Sequence, residues 1–168
     1  MSRGGVSDTA ERLSDRMISE LFPAELRASI SALFKRWYES GAPDAPMRAT
    51  IDPLSMPELL PDLAIMEFVA ADIATGSDWR YVLVGERVRE MIGGTVKGRM
   101  LSDVLSVDEN PARVRKFYDV TRSLRFPTLT FGQHTVGYAT QREFARLLFP
   151  YRDPDGEINT LLLLLIYL

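Results

Sequence analysis

The chain has 168 residues, 46% of them hydrophobic and 26% charged, which is typical of one globular domain rather than a disordered chain. Its formal net charge of -3 provides no basic excess for binding phosphates, so nucleic-acid binding is not expected. Because the chain has no cysteine, a disulfide framework, a thiolate nucleophile and a cysteine-ligated metal site are excluded.

Residues 1–22 are predicted to be a partly helical tail. Apolar residues recur at helical spacing from Ala10 to Leu21, and Asp8 with Glu11 three positions later resembles a capping box. The tail has no apolar core segment of the kind that marks a secretory signal, so we expect a cytoplasmic protein.

Residues 23–41 are predicted to form an amphipathic helix, with Pro23 in its first turn and Gly41 at its end. One continuous apolar stripe runs along it, formed by Leu26, Ile30, Leu33, Phe34 and Trp37. Such a stripe must dock on its own sheet, on a partner subunit, or on both.

Residues 42–168 are predicted to form the main domain, which opens with a proline-rich segment. Five prolines between 42 and 63 rule out a long helix there, and the many apolar residues indicate an ordered segment with one short helical turn near 56–60. Two strands follow at 63–70 and 79–85, and short helices at 86–105. A longer helix is predicted at 111–125, and three further strands at 128–136, 142–153 and 158–168.

This order of elements predicts an α+β fold with a five-stranded antiparallel sheet, because grouped strands do not form alternating βαβ units. The last strand is apolar at every position of LLLLLI, 161–166, so both faces of the sheet should be covered. The helical block would cover one face and helix 23–41 the other. The same run is far shorter than the ~20 residues that span a membrane.

The glycines at 85–98 do not form a phosphate-binding loop. Lys97 precedes Gly98 instead of following a glycine at Walker spacing, and the dinucleotide pattern G-x-G-x-x-G is absent. Gly85 is interpreted as the end of a strand, Gly93 and Gly94 as the end of a short helix, and Gly98 as a tight turn.

The ordered motifs of the chain resemble a known family. The run LFKRWYESG, then MRATIDPLSMPELLPDLAIMEF, then WRYVLVGERVREMIGGTVKGRMLSDV resembles PAS domains, in particular a group of short PAS-like proteins found mainly in alphaproteobacteria. The resemblance covers roughly residues 26–168. The positions that match the family pattern are Arg48, Asp52, Pro53, Pro61, Gly85 and Gly98. Arg48 and Asp52 are interpreted as an i,i+4 pair or a turn staple with a role in folding.

The resemblance implies a sensory or interaction module that can bind a small metabolite between sheet and helices. It also implies a homodimer formed through the N-terminal helix, and an unknown signalling partner, because the chain carries no recognisable output domain. The candidate ligand-binding residues are Trp79, Tyr81, Arg99, Tyr118, His134 and Arg146. For the aromatic residues the alternative is plain core, and for the arginines a solvated strand face.

No cofactor or metal is expected. The lone histidine, His134, lies in a predicted strand, whereas haem-binding PAS proteins generally use a histidine on the long helix, here 111–125. Without cysteine, light-driven covalent flavin chemistry is excluded. No nucleophile or general base with an orienting partner is recognisable, so no enzymatic activity is expected. The alternative function is a small-molecule carrier or a small pocket enzyme of the isomerase or hydratase type.

Overall fold

A computed structural model describes residues 6–41, 44–70, 77–104, 110–136 and 140–168. The strands are β1 (Glu11–Arg12), β2 (Leu63–Val69), β3 (Asp78–Val84), β4 (Thr128–Val136), β5 (Thr140–Arg152) and β6 (Ile158–Tyr167). The helices are α1 (Asp15–Leu21), α2 (Ala24–Gly41), α3 (Glu86–Ile92), α4 (Leu101–Val104) and α5 (Pro111–Leu124). Among the described residues, no helix is both long and apolar enough to cross a membrane.

The fold is the predicted PAS-like α+β architecture. The strands form one antiparallel sheet in the order β1-β4-β5-β6-β2-β3, and helices cover both of its faces. The sheet has six strands rather than the predicted five, because the tail contributes β1 at the edge beside β4. Glu11 pairs with Leu129, and the Leu13 N–H donates to the Pro127 carbonyl at 2.8 Å. Both residues of β1 are exposed, so backbone pairing rather than an apolar pattern forms the strand.

The capping box predicted at Asp8 and Glu11 is wrong. The helix of the tail begins later, at Asp15, where the Ser14 hydroxyl accepts a hydrogen bond from the Met17 N–H at 3.3 Å. Ser14, rather than Asp8, is the N-cap because Glu11 is part of β1 and is not in a helix.

The inner face of the sheet packs against α5. Trp79 on β3 is fully buried, and its ring lies 6.0 Å from that of Tyr118 and 5.3 Å from that of Phe68. Arg122 on α5 stacks 3.9 Å over the Phe68 ring and donates to the Ile158 carbonyl at the start of β6. These contacts hold α5 against β2, β3 and β6.

The outer face packs against α1 and α2 of the same chain. Ile30, Leu33 and Trp37 are buried with the outward side chains of β5 and β6, and the Trp37 indole N–H donates to the Pro150 carbonyl at 2.7 Å. The Trp37 ring also meets Phe126 edge-on at 5.3 Å. The apolar run of β6 is therefore covered on both sides, as its composition predicts.

The segment between α2 and β2 forms three 3₁₀ turns, Arg48–Thr50, Pro53–Ser55 and Leu60–Asp62, instead of the single turn predicted. Prolines start such turns readily because their φ is already set. In the described residues Arg48 pairs with Glu67 on β2, at 3.9 Å, rather than with Asp52. Asp52 instead precedes the turn that begins at Pro53.

Gly85 allows this segment to pack closely against the start of α3. A Cβ at position 85 would lie 2.1 Å from the Leu60 carbonyl oxygen and 2.6 Å from that of Pro61. Only glycine fits such an approach, since both neighbours are backbone atoms. Gly98 has a different requirement, because its φ of 84° is in the left-handed region, where its N–H donates to the Tyr81 carbonyl at 2.7 Å.

Two ion pairs connect helices to the segments around them. The Arg125 guanidinium binds both carboxylate oxygens of Asp44, at 2.7 and 2.8 Å, and this hydrogen bonding lowers the pKa of Asp44 to about 2. The buried Asp62 lies 3.3 Å from Arg87 on α3. Burial raises the pKa of the Asp62 carboxyl, and the charge of Arg87 opposes that shift.

Candidate functional site

A small cavity of about 40 Å³ lies between the inner face of the sheet and helices α3, α4 and α5. Most of its wall is apolar, with contributions from residues such as Met91, Leu101, Val114 and Leu165. Its polar lining residues are Tyr81, Tyr118, Gln133, His134 and Arg146. Because one water needs roughly 10–15 Å³ measured in this way, the cavity admits only a few non-hydrogen atoms.

Arg146 places a guanidinium in this wall. Strand alternation along β5 points it inward, and the residue is only 4% exposed. Its Nη1 donates to the Thr130 hydroxyl at 3.2 Å, and its charged end lies 5.3 Å from the Phe144 ring centre and 5.8 Å from that of Phe117. The guanidinium is therefore held in the wall by one hydroxyl and lies between two aromatic rings.

His134 also lines the cavity and belongs to a second polar group. Its Nδ1 is 3.0 Å from the Tyr167 hydroxyl, and the Arg142 guanidinium stacks 3.8 Å from the centre of the Tyr167 ring. Burial raises the pKa of Tyr167, while the charge of Arg142 opposes this. Which of the two groups donates in this hydrogen bond depends on the tautomer of the imidazole.

The structure brings together four of the six residues predicted to bind a ligand. Tyr81, Tyr118, His134 and Arg146 all line the cavity. Trp79 lies behind Tyr118 and supports its ring without lining the cavity. Arg99 is not brought to the site, because it is exposed before α4 and donates to the Asp103 carbonyl at 3.1 Å.

Gln133 is a lining residue that sequence reasoning missed. Neighbouring side chains of a strand point to opposite faces of the sheet. If His134 is predicted to face the cavity, its neighbour Gln133 is therefore predicted to face away from it. Both nevertheless border the cavity. In the described part of the chain, no cluster of three or more His, Asp or Glu residues could hold a metal ion.

A second concave feature, the α2 groove, lies on the outside of the molecule and has a volume of about 540 Å³. Its apolar floor and side are formed by Leu13, Phe34, Tyr38 and Phe126, and Tyr38 is 55% exposed. Its rim carries both signs of charge, from Asp15, Lys35 and Glu39. Tyr38 was also missed by the sequence pattern, because it falls beside the apolar stripe rather than in it.

The stripe of α2 is divided between the core and this groove. Ile30, Leu33 and Trp37 are at most 4% exposed and belong to the core of their own chain. Phe34 and Leu26 are only partly buried, and Phe34 borders the groove. Phe34 therefore connects the buried part of the stripe to the α2 groove.

Comparison with known proteins agrees with this geometry. A family model described as a PAS domain matches residues 25–166. An RNA-binding light-oxygen-voltage receptor is similar in structure, with a TM-score of 0.53, 14% identity, 97% of this chain covered and 39% of the receptor. The chain thus spans well under half of that receptor, and the likeness shows the fold alone. The PAS domain of Bordetella pertussis BvgS aligns with 18% identity, a TM-score of 0.46, and coverage of 70% of this chain and 88% of that one. No curated protein matches the chain.

Proposed function

Because this chain belongs to the PAS domain family, we propose that it is a sensory or regulatory module that acts through contacts with other protein surfaces, including a second copy of itself. The observation that carries this proposal is the size of the inner cavity. At about 40 Å³ it is far below the ~300–1,000 Å³ of typical small-molecule and cofactor sites. Haem or flavin does not fit such a space, and only a very small metabolite would.

The alternative of a carrier or a pocket enzyme requires a cavity that holds a substrate beside a partnered ionisable group. The inner cavity supports neither requirement well, since it is small and its one histidine is bound to Tyr167. We therefore favour a module without enzymatic activity whose signalling partner binds its surface. A cytoplasmic location is part of the same proposal. The assignment to the short alphaproteobacterial PAS-like proteins belongs to the same proposal.

The α2 groove is the surface that we assign to the homodimer. A two-fold interface brings the same patch of both subunits together, so the patch must complement itself. Exposed aromatic surface on Phe34 and Tyr38 provides the apolar contact. Lys35 and Glu39 on the rim allow each cation to face an anion of the other subunit.

Sedimentation across a concentration series tests this assignment with a matched pair of variants. Tyr38→Asp places a charge in the groove, whereas Leu54→Asp places the same charge at an apolar side chain that is 82% exposed and lies outside the groove. We expect dimers for the wild type and Leu54→Asp, and monomers for Tyr38→Asp. A wild type that stays monomeric at high micromolar concentration contradicts the homodimer, and a dimeric Tyr38→Asp contradicts the groove as its interface.

A further inference from the structure

The chain passes from the inner to the outer face of the domain directly after α5. Val114, in the first half of that helix, lines the inner cavity. Phe126, just beyond its end, already lies on the outer side, where its ring meets those of Phe34 and Trp37 edge-on at 6.0 and 5.3 Å. Phe126 also borders the α2 groove. A short junction, residues 125–126, therefore connects a wall of the cavity to a wall of the groove.

The backbone of this junction has a fixed bend. Arg125 has a φ of 55° and a ψ of 31°, in the left-handed region, and it is the one non-glycine residue with a positive φ in the described part of the chain. Its N–H donates to the Thr121 carbonyl at 3.0 Å and closes the last turn of α5. A side chain other than glycine keeps this conformation only where its surroundings impose it.

The side chain of Arg125 shows what imposes the bend. Its guanidinium binds both carboxylate oxygens of Asp44, just after α2, at 2.7 and 2.8 Å, and it donates to the Gly156 carbonyl at 2.8 Å. The Asp44 N–H in turn donates to the carbonyl of Gly41, the last residue of α2, at 2.8 Å. A bidentate pair fixes direction as well as distance, so it ties the end of α5 to the end of α2.

We propose that this junction transmits a shift of α5 at the inner cavity to the α2 groove, and that the groove is regulated in this way. Protein interiors are close-packed and transmit strain, so a change of volume beside Val114 has to be taken up by the helix that carries it. The helix carries Phe126 with it, and Phe126 packs between the α2 rings and the Arg12 guanidinium, which lies 4.0 Å from its centre. The regulatory role rests on the proposed function, because the groove is the surface assigned to the homodimer.

Fluorine NMR of a single probe in the groove tests the coupling. Because the chain has no cysteine, Ser31→Cys on the groove wall can carry one trifluoromethyl label. Val114→Ala then changes the volume at α5, and Val88→Ala makes the same truncation at an equally buried position on α3. In samples dilute enough to be monomeric by sedimentation, we expect the groove resonance to shift in Val114→Ala and to keep its wild-type position in Val88→Ala.

A second substitution identifies the junction as the route. Arg125→Gly accepts the left-handed backbone and removes the guanidinium, so most of the shift caused by Val114→Ala should disappear in the double variant. Asp44→Asn keeps Arg125 and weakens its pair, and should remove a smaller part of the shift. If Val114→Ala does not fold, Val114→Ile takes its place, because it changes the volume at the same site in the opposite sense.

Equal resonance positions in the wild type and the Val114 variants, or equal shifts for Val114→Ala and Val88→Ala, overturn the proposal. A shift that Arg125→Gly leaves unchanged also overturns it, because the movement then reaches the groove by another route. A wild type that is dimeric at high concentration but shows no shift refutes only the coupling. A wild type that stays monomeric and shows the shift refutes only the proposed homodimer.

Discussion

Replacing Trp37 by alanine tests whether α2 docks on the sheet of its own chain. Trp37 is 4% exposed, its indole N–H binds the Pro150 carbonyl, and its ring meets Phe126 edge-on. Truncating a buried tryptophan to alanine costs about 3–5 kcal/mol. A buried carbonyl left without its donor adds about 1–3 kcal/mol. We expect Trp37→Ala to lower the free energy of unfolding by about 4–8 kcal/mol, which is close to the whole stability of many domains.

Two further variants separate the contributions. Trp37→Phe keeps most of the ring and removes the indole N–H, so its loss should be smaller, about 1–3 kcal/mol. Tyr38→Ala removes a ring of similar size from the next position on α2, where the side chain is 55% exposed. Below the concentration at which dimers form, that change should stay within about 0.5 kcal/mol.

Urea unfolding followed by circular dichroism and tryptophan fluorescence measures all three variants. Trp79 remains as a fully buried reporter on the opposite face of the sheet. A loss below about 1 kcal/mol for Trp37→Ala would mean that the α2 stripe does not pack against this sheet. Equal losses for Trp37→Ala and Tyr38→Ala would lead to the same conclusion.

Two other predictions concern Asp44, which follows α2, and Gly85, which follows β3. The carboxylate of Asp44 is stabilised by Arg125, with its pKa lowered from 3.8 to about 2, so its contribution is present above pH 4 and is lost as pH falls toward 2. Because the Asp44 side chain is 45% exposed, Asp44→Asn should cost no more than about 1 kcal/mol at pH 7. Urea unfolding at pH 2 should show most of this difference lost, because about half of the native carboxyl groups are then protonated. An unchanged difference at pH 2 would exclude this ion pair as its source. Gly85→Ala should destabilise by about 1–3 kcal/mol or more, because its Cβ meets two carbonyl oxygens, whereas Gly94→Ala, with no atom within 4 Å of the added Cβ, should be nearly neutral. Equal unfolding midpoints for these two glycine variants would be evidence against the close packing at Gly85.

The sheet and its two covered faces follow from side-chain patterns that are local in the sequence. The unbroken apolar run of β6 predicts burial on both sides, and the stripe on α2 predicts docking, because each pattern reports the face that avoids water. The apolar pattern does not predict whether the stripe docks on its own sheet or on another copy, since hydrophobic burial is not directional. β1 was missed for a related reason, because two exposed residues joined by backbone bonds leave no pattern.

The candidate site was only partly predictable. Arg146 lies in a regular strand, so its direction follows from alternation with Phe144, whereas Arg99 lies in a turn whose course depends on tertiary contacts. The cavity volume depends on how closely α3, α4 and α5 approach the sheet, which no single element encodes. A list of aromatic residues therefore identifies part of the wall without indicating how little space it encloses.

Native mass spectrometry of the freshly purified full chain tests the central claim most directly, because it reports subunit number and bound mass together. A module that acts through protein contacts, with a cavity of about 40 Å³, should appear as a dimer. It should carry no adduct of cofactor size. A monomer that retains a molecule of cofactor or metabolite size would contradict the account.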